Sequence, residues 1–185
     1  MPRVSRVQAA QNRERTIQEA ARLFRERGID RVSVQDVMAA VGLTHGGFYR
    51  QFESKDALVL EATRYAYLSM AASMGKSETD LGDHRAAQQA YIREYLSAAH
   101  RDHPGQGCPT AGLVQDVARS GTADTRSVLA EGVDAVAQWL DDGNQDGLVT
   151  ACTLFGAVLV ARATEGSAFS DQVLERVRVA LTGTR

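Results

Sequence analysis

The sequence predicts an all-α chain, and three observations carry that prediction. Long stretches are rich in the helix formers Ala, Leu, Arg and Glu, and only three of the 185 residues are proline. Apolar residues recur at spacings of three and four, and strand-like alternation is rare. Residues 33–58 read as two short helices joined by a tight glycine turn, with a further helix behind a serine cap. A hydrophobic content of 44% is ordinary for a chain with a real core, and the length suits one large domain or two small ones.

Residues 1–11 lack periodicity and carry Arg3 and Arg6, so a mobile basic arm is expected there. The first helix is expected over about 12–27, with Ile17, Ala20, Ala21 and Phe24 making one apolar face. Gly28 stands where a left-handed cap would end it. Ser33 offers an N-cap, with Asp36 as its capping-box partner. Val34, Val37, Met38 and Val41 form the inner face of the second helix, and Gly42 permits a sharp turn. Thr44 is expected to cap a third helix over 44–51, anchored by Phe48 and Phe52. Ser54 caps a fourth, over 54–74. Residues 76–85 read as a loop, and 86–101 as the fifth helix. The breaker 103–109 follows, then helices over 109–119 and 125–140, a turn at 141–146, and helices over 147–164 and 170–182.

The charge is uneven. Residues 1–64 hold eleven Arg or Lys against eight Asp or Glu, an excess of three, and residues 65–185 hold ten against fifteen, a deficit of five. A basic amino-terminal part on an acidic remainder fits a nucleic-acid module carried by a body that avoids nucleic acid. A small, aromatic and basic helix after a tight turn is also what enters a DNA major groove. Gly46 and Gly47 keep that helix low, so its backbone can approach a duplex closely. Thr44 and His45 lie at its amino-terminal end, where free amides favour phosphate. His45 and Arg50 can reach base edges, Arg favouring guanine. Tyr49, Ser33 and Lys55 suit phosphate oxygens, Gln35 is a further backbone contact, and Gln51 can meet phosphate or adenine. The plainer alternative is that the glycine pair is a poor helix start and Tyr49 a half-buried core aromatic.

These residues resemble the TetR family of tetracycline-repressor-like transcriptional regulators. The resemblance rests on Leu23, Phe24, Gly28, Ser33, Gly42, Thr44, Gly46, Phe48, Tyr49, Phe52, Lys55 and Leu58. Gln51 departs from the histidine often found there in the family, which bears on operator sequence. The resemblance implies a homodimeric DNA-binding repressor whose carboxy-terminal helices bind a small inducer. It also implies two units: 1–53, an arm and three-helix helix-turn-helix DNA-binding domain, and 54–185, a helical ligand-binding and dimerisation domain joined to it by helix 54–74. Further on, Gly107-Cys108-Pro109 with Leu113, Asp116, Ala118 and Arg119 resembles one carboxy-terminal subgroup, as do Ala161-Arg162-Ala163 and Ser170-Asp171. In that subgroup the last two helices form the dimer interface.

In the second unit Tyr67, Met70, Met74, Tyr91, Tyr95, Leu113, Val117 and Trp139 either line a pocket or are core. Pro109 suits the first position of a helix, which puts Cys108 at the N-cap. There the thiol is either a sensor of oxidants and electrophiles or an inert, partly buried group. His100, His103 and Cys108 lack a fourth ligand, so no metal is expected. Leu148, Cys152, Phe155 and Leu159, with Val173, Leu174, Val177 and Leu181, need cover that a second subunit can supply.

The chain is expected to be a cytoplasmic regulator of double-stranded DNA that uses no cofactor. No secretion signal is read at its start. The uncharged run 147–161 is fifteen residues long, short of the about 20 that span a membrane. Two rival readings are a Cys108-dependent enzyme and a dimeric interaction module that ignores DNA. The first lacks a base-plus-orienter arrangement, a phosphate loop or a metal motif. The second leaves the basic arm and the third helix unexplained.

Overall fold

The computed structural model describes residues 6–143 and 145–183, which are helical with no strands among them. Nine α-helices follow in order: α1 (Arg6–Arg27), α2 (Val34–Ala40), α3 (Lys55–Leu81), α4 (His84–Tyr95), α5 (Ala98–Asp102), α6 (Pro109–Ser120), α7 (Ala123–Leu140), α8 (Gly147–Ala163) and α9 (Ala168–Thr182). Two 3-10 helices, His45–Arg50 and Pro104–Gln106, are inserted among these described elements.

Local signals set most helix ends. Gly28, Gly42 and Gly82 adopt positive φ where helices stop, and the hydroxyls of Ser33, Ser54, Ser97, Thr122 and Ser167 accept amide hydrogen bonds at N-caps. Cys108 and Pro109 occupy the N-cap and first position of α6, although the thiol itself makes no capping bond.

Several boundaries differ from the sequence expectation. α1 begins at Arg6, so residues 6–11 are helix; Arg3 lies outside the described residues. Exposed helix formers need no apolar stripe, which is why periodicity missed this turn. The expected loop 76–85 is mostly the last two turns of α3. Its Glu78 accepts from the indole of distant Trp139 (3.1 Å) and contacts nearby His84 (3.1 Å), and these two groups hold a polar turn helical. The expected helix 86–101 is broken at Leu96 and Ser97, where Ser97 caps α5. The third helix is a 3-10 helix, and the Thr44 hydroxyl does not cap it. Two adjacent glycines make an α-helical nucleus costly there.

Two cores result. One gathers Leu23 and Phe24 of α1, Val37 and Met38 of α2, Phe48, Phe52, and Leu58 of α3, together with Leu113 and Val117 of α6. The other joins Ile92 and Tyr95 to Val136 and Leu140 of α7, Leu154, Phe155 and Val158 of α8, and Leu174 of α9. α3 contributes to the first core and also packs on α7, so one helix runs through both parts.

Candidate nucleic-acid interface and ligand cavity

The amino-terminal site is built by its turns. Ser33 Oγ accepts from the Asp36 amide (3.1 Å), while the Ser33 amide and hydroxyl both donate to Asp36 Oδ2 (2.8 and 2.6 Å). These bonds hold the Asp36 carboxyl below the usual carboxylate range. The Leu43 amide donates to the Met38 carbonyl (2.8 Å) and closes the turn around Gly42. Phe48 is fully buried and stacks on Phe52 (5.4 Å between centroids), over which the Arg13 guanidinium sits at 4.8 Å. With Phe48 as a peg, the rest of His45–Arg50 is turned outward.

Tyr49 is 65% exposed, which excludes the core-aromatic alternative. Its ring meets His45 and Phe48 edge-on, at 5.7 and 5.2 Å. Gln35, Thr44, His45, Gly46, Arg50 and Ser33 are also exposed, and a Cβ added to Gly46 would meet nothing. Gly47 is half-buried over Met38. Two expected DNA contacts have inward partners. Gln51 lies between Thr16 Oγ1 (3.5 Å) and the Gly47 carbonyl (3.4 Å), which turns its amide toward its own module. Lys55 Nζ donates to the Ile29 carbonyl (2.6 Å) and keeps further N–H donors. The Ile29 amide in turn donates to Asp116 Oδ2 of α6 at 2.7 Å. Both backbone groups of Ile29 are thereby tied, the carbonyl to α3 and the amide to α6.

The second site is a cavity of about 270 Å³ between α3, α4, α7 and the 104–108 segment. Met70, Met74, Tyr91, Tyr95, Cys108 and Trp139 line it. Tyr67, Leu113 and Val117 are not among its lining residues. The Tyr67 hydroxyl is buried against Thr110 Oγ1 (2.7 Å), and Leu113 and Val117 pack toward α1 in the first core. Burial pushes the Tyr67, Tyr91 and Tyr95 phenols well above their ordinary range.

His100 stands beside Cys108. Its Nδ1–H donates to the Tyr95 carbonyl (2.8 Å) and its Nε2 accepts from the Cys108 amide (3.1 Å), so the ring is neutral. Burial pushes its pKa down to about 4. With both nitrogens engaged and His103 Nδ1 against the Ala99 carbonyl (2.8 Å), the His100–His103–Cys108 set does not converge on a metal. No group of three or more metal-ligating side chains occurs among the described residues.

Of the cavity residues, Arg25 was not singled out in the sequence, and His100 only as a candidate metal ligand with His103 and Cys108. For Arg25 a signal existed, since it lies four residues after Ala21 on the flank of the apolar stripe. For His100 there was none beyond its closeness to Cys108.

On α8 and α9 the expected interface residues divide. Phe155 and Leu174 are buried in the chain's own core, and Leu159, Val173, Val177 and Leu181 are half-buried. The outward stripe is Leu148, Cys152, Gly156 and Val160, with Val149 and, on α9, Phe169 beside it. Helical spacing explains the division: α7 and α9 cover one side of α8, and the i, i+4 row opposite stays uncovered. No helix among the described residues is long and apolar enough to cross a membrane.

An exposed helix-turn-helix held on an all-helical body defines a DNA-binding transcriptional regulator. Residues 17–62 match the family model for bacterial regulatory proteins of the tetR family. Over those residues the chain is similar to the TetR family. A relative over nearly its full length is the HTH-type transcriptional regulator Rv0196 of Mycobacterium tuberculosis, 28% identical over 90% of this chain and 92% of that protein. YerO of Bacillus subtilis, another HTH-type transcriptional regulator, is 36% identical over 38% of this chain and 25% of its own length. Among solved structures, the reduced form of NemR from E. coli is similar in fold, with a TM-score of 0.77, 21% identity and coverage of 94% of this chain and 96% of that one. AibR, solved in complex with isovaleryl coenzyme A and operator DNA, has a TM-score of 0.65 at 18% identity, covering 94% and 100%.

Proposed function

We propose that the chain is a cytoplasmic ligand- or redox-responsive repressor that binds a palindromic operator as a homodimer and is released by a small-molecule inducer. The observation that carries this reading is the 3-10 helix His45–Arg50, pegged by buried Phe48 and presenting Tyr49, His45 and Arg50 to solvent. In this reading residues 1–53 form the DNA-binding unit and 54–185 the ligand-binding and dimerisation unit. His45 and Arg50 read base edges, and Thr44, Tyr49, Gln35 and Lys55 hold phosphate. The uncovered stripe of α8 pairs with its copy in a second subunit. The inducer enters the cavity lined by Met70, Met74, Tyr91, Tyr95, Cys108 and Trp139, and Cys108 there gives oxidants or electrophiles a route to the same switch. AibR, crystallised with an acyl thioester and operator DNA, is a precedent for this combination on a similar fold.

Selection of bound fragments from genomic DNA tests the proposal. Recovered fragments are expected to share an inverted repeat whose half-sites lie about 34–36 Å apart, one turn of duplex, or a multiple of it. Recovery of fragments with no common sequence would sink it.

A further inference from the structure

Arg25 projects from the last turn of α1 into the cavity of the body. Its Nε and Nη2 both donate to one acceptor, the Gly105 carbonyl, at 3.1 and 2.7 Å. A glycine makes room for it: a Cβ on Gly112 would fall 2.9 Å from both Arg25 Cβ and Cγ. Carboxylates on α1 and α3 go to other cations, Glu19 and Glu26 to Arg22 and Glu61 to Arg13. Among the described residues Arg25 has no ion-pair partner. Glu94 also lines the cavity, but from an exposed position and outside ion-pair distance of Arg25. Burial lowers the Arg25 pKa, as for a cation drawn out of water without an anion. Tyr95 also lines the cavity, its buried hydroxyl lying beside the Cys108 thiol without a hydrogen bond of good geometry among the described residues.

We propose that this cavity takes a small organic monocarboxylate, its anionic head paired with Arg25 and its apolar body against Met70, Met74, Tyr91 and Trp139. This deepens the inducer reading of the same cavity and rests on it. A guanidinium with N–H donors left over is matched by a carboxylate, which accepts two parallel bonds. One cation, with Glu94 at the same cavity, favours a single negative charge over a phosphate dianion. A volume of about 270 Å³ sits at the small end of ligand pockets. The Tyr95 hydroxyl gains a partner in a polar atom of the ligand. Arg25 also belongs to α1, which packs directly on the helix-turn-helix, so an anion that draws on Arg25 acts on the DNA-binding unit.

Titration calorimetry of the full chain with hexanoate, phenylacetate and indole-3-acetate, each against its primary amide, tests the proposal. At least one acid is expected to bind about tenfold or more tightly than its amide, the gap of a charge-assisted bond. Arg25→Gln, which keeps a donor for the Gly105 carbonyl, is expected to erase that preference, and Arg25→Lys to retain part of it. If no acid binds better than its amide at millimolar concentration, the inference is overturned without recourse to any variant. Persistence of the preference in Arg25→Gln overturns it as well. Operator binding of the ligand-free chain is measured in parallel. Sequence-specific DNA binding without carboxylate preference removes only this inference, whereas carboxylate preference without specific DNA binding removes the regulator reading.

Discussion

Arg50 and Lys55 differ in what they touch, and their variants should differ in kind. Arg50 is exposed and reaches outward from the 3-10 helix, whereas Lys55 is half-buried with Nζ on the Ile29 carbonyl. Arg50→Ala is expected to cost about 1–3 kcal/mol of discrimination at one base pair per half-site. Lys55→Ala should weaken operator and random DNA alike and lower the salt slope by about 1. Fluorescence anisotropy over a salt series separates the two; equal losses of Arg50→Ala on both DNAs would remove its base-reading role. His100 makes a second residue-scale prediction. Its folded pKa of about 4 lies below the ordinary 6.5, so between those values the unfolded chain binds a proton that the folded chain refuses. The stability this contributes is complete above pH 6.5 and lost as pH falls toward 4, up to about 3 kcal/mol. Urea unfolding at several pH values should show a shallower acid slope in His100→Gln than in the parent. Identical slopes would mean that the ring is protonated in the fold.

At the scale of elements, α7 approaches α3 through Gly132. A Cβ there would lie 2.3 Å from the Tyr67 ring, and Tyr67 cannot swing aside without leaving Thr110, to which it is bonded at 2.7 Å. Gly132→Ala should therefore destabilise the chain by about 1–3 kcal/mol despite the better helix propensity of alanine. In a Tyr67→Ala background the same change should be neutral or stabilising, and chemical denaturation of the four proteins of that cycle checks the coupling. The same contrast explains what could be read before the fold was known. Ser33 with Asp36, Gly42, Ser54 and Pro109 act within a few residues of themselves, and so the turns of the amino-terminal site were legible. The last turns of α3 depend on Glu78 meeting Trp139, 61 positions away, and Arg25 depends on Gly105, 80 positions away. No local pattern encodes such meetings. The outward row of α8 was legible only in part, at Leu148 and Cys152 but not at Gly156 and Val160, since an all-apolar helix does not reveal which side its neighbours will cover.

At the scale of the molecule, that uncovered row is where the regulator reading is most exposed to test. Leu148, Val149 and Val160 are 52%, 63% and 44% exposed along α8, and Phe169 is 56% exposed just beyond it. A Cβ on Gly156, in the middle of the row, would meet nothing within the chain, so a second helix can come close there. A two-fold axis across α8 would bury the row against its copy and fix the distance between the two His45–Arg50 segments. Replacing Val149 and Gly156 with glutamate puts like charges face to face at such a contact and disturbs nothing inside the protomer. The double variant is expected to sediment as a folded monomer with unchanged helical content. It should bind an isolated half-site about as the parent does and lose the added affinity that a palindrome gives two joined subunits. A variant that remains dimeric would move the interface elsewhere on the surface. One that is monomeric yet undiminished on the palindrome would show that the second subunit adds nothing to recognition, and the paired geometry would have to be given up.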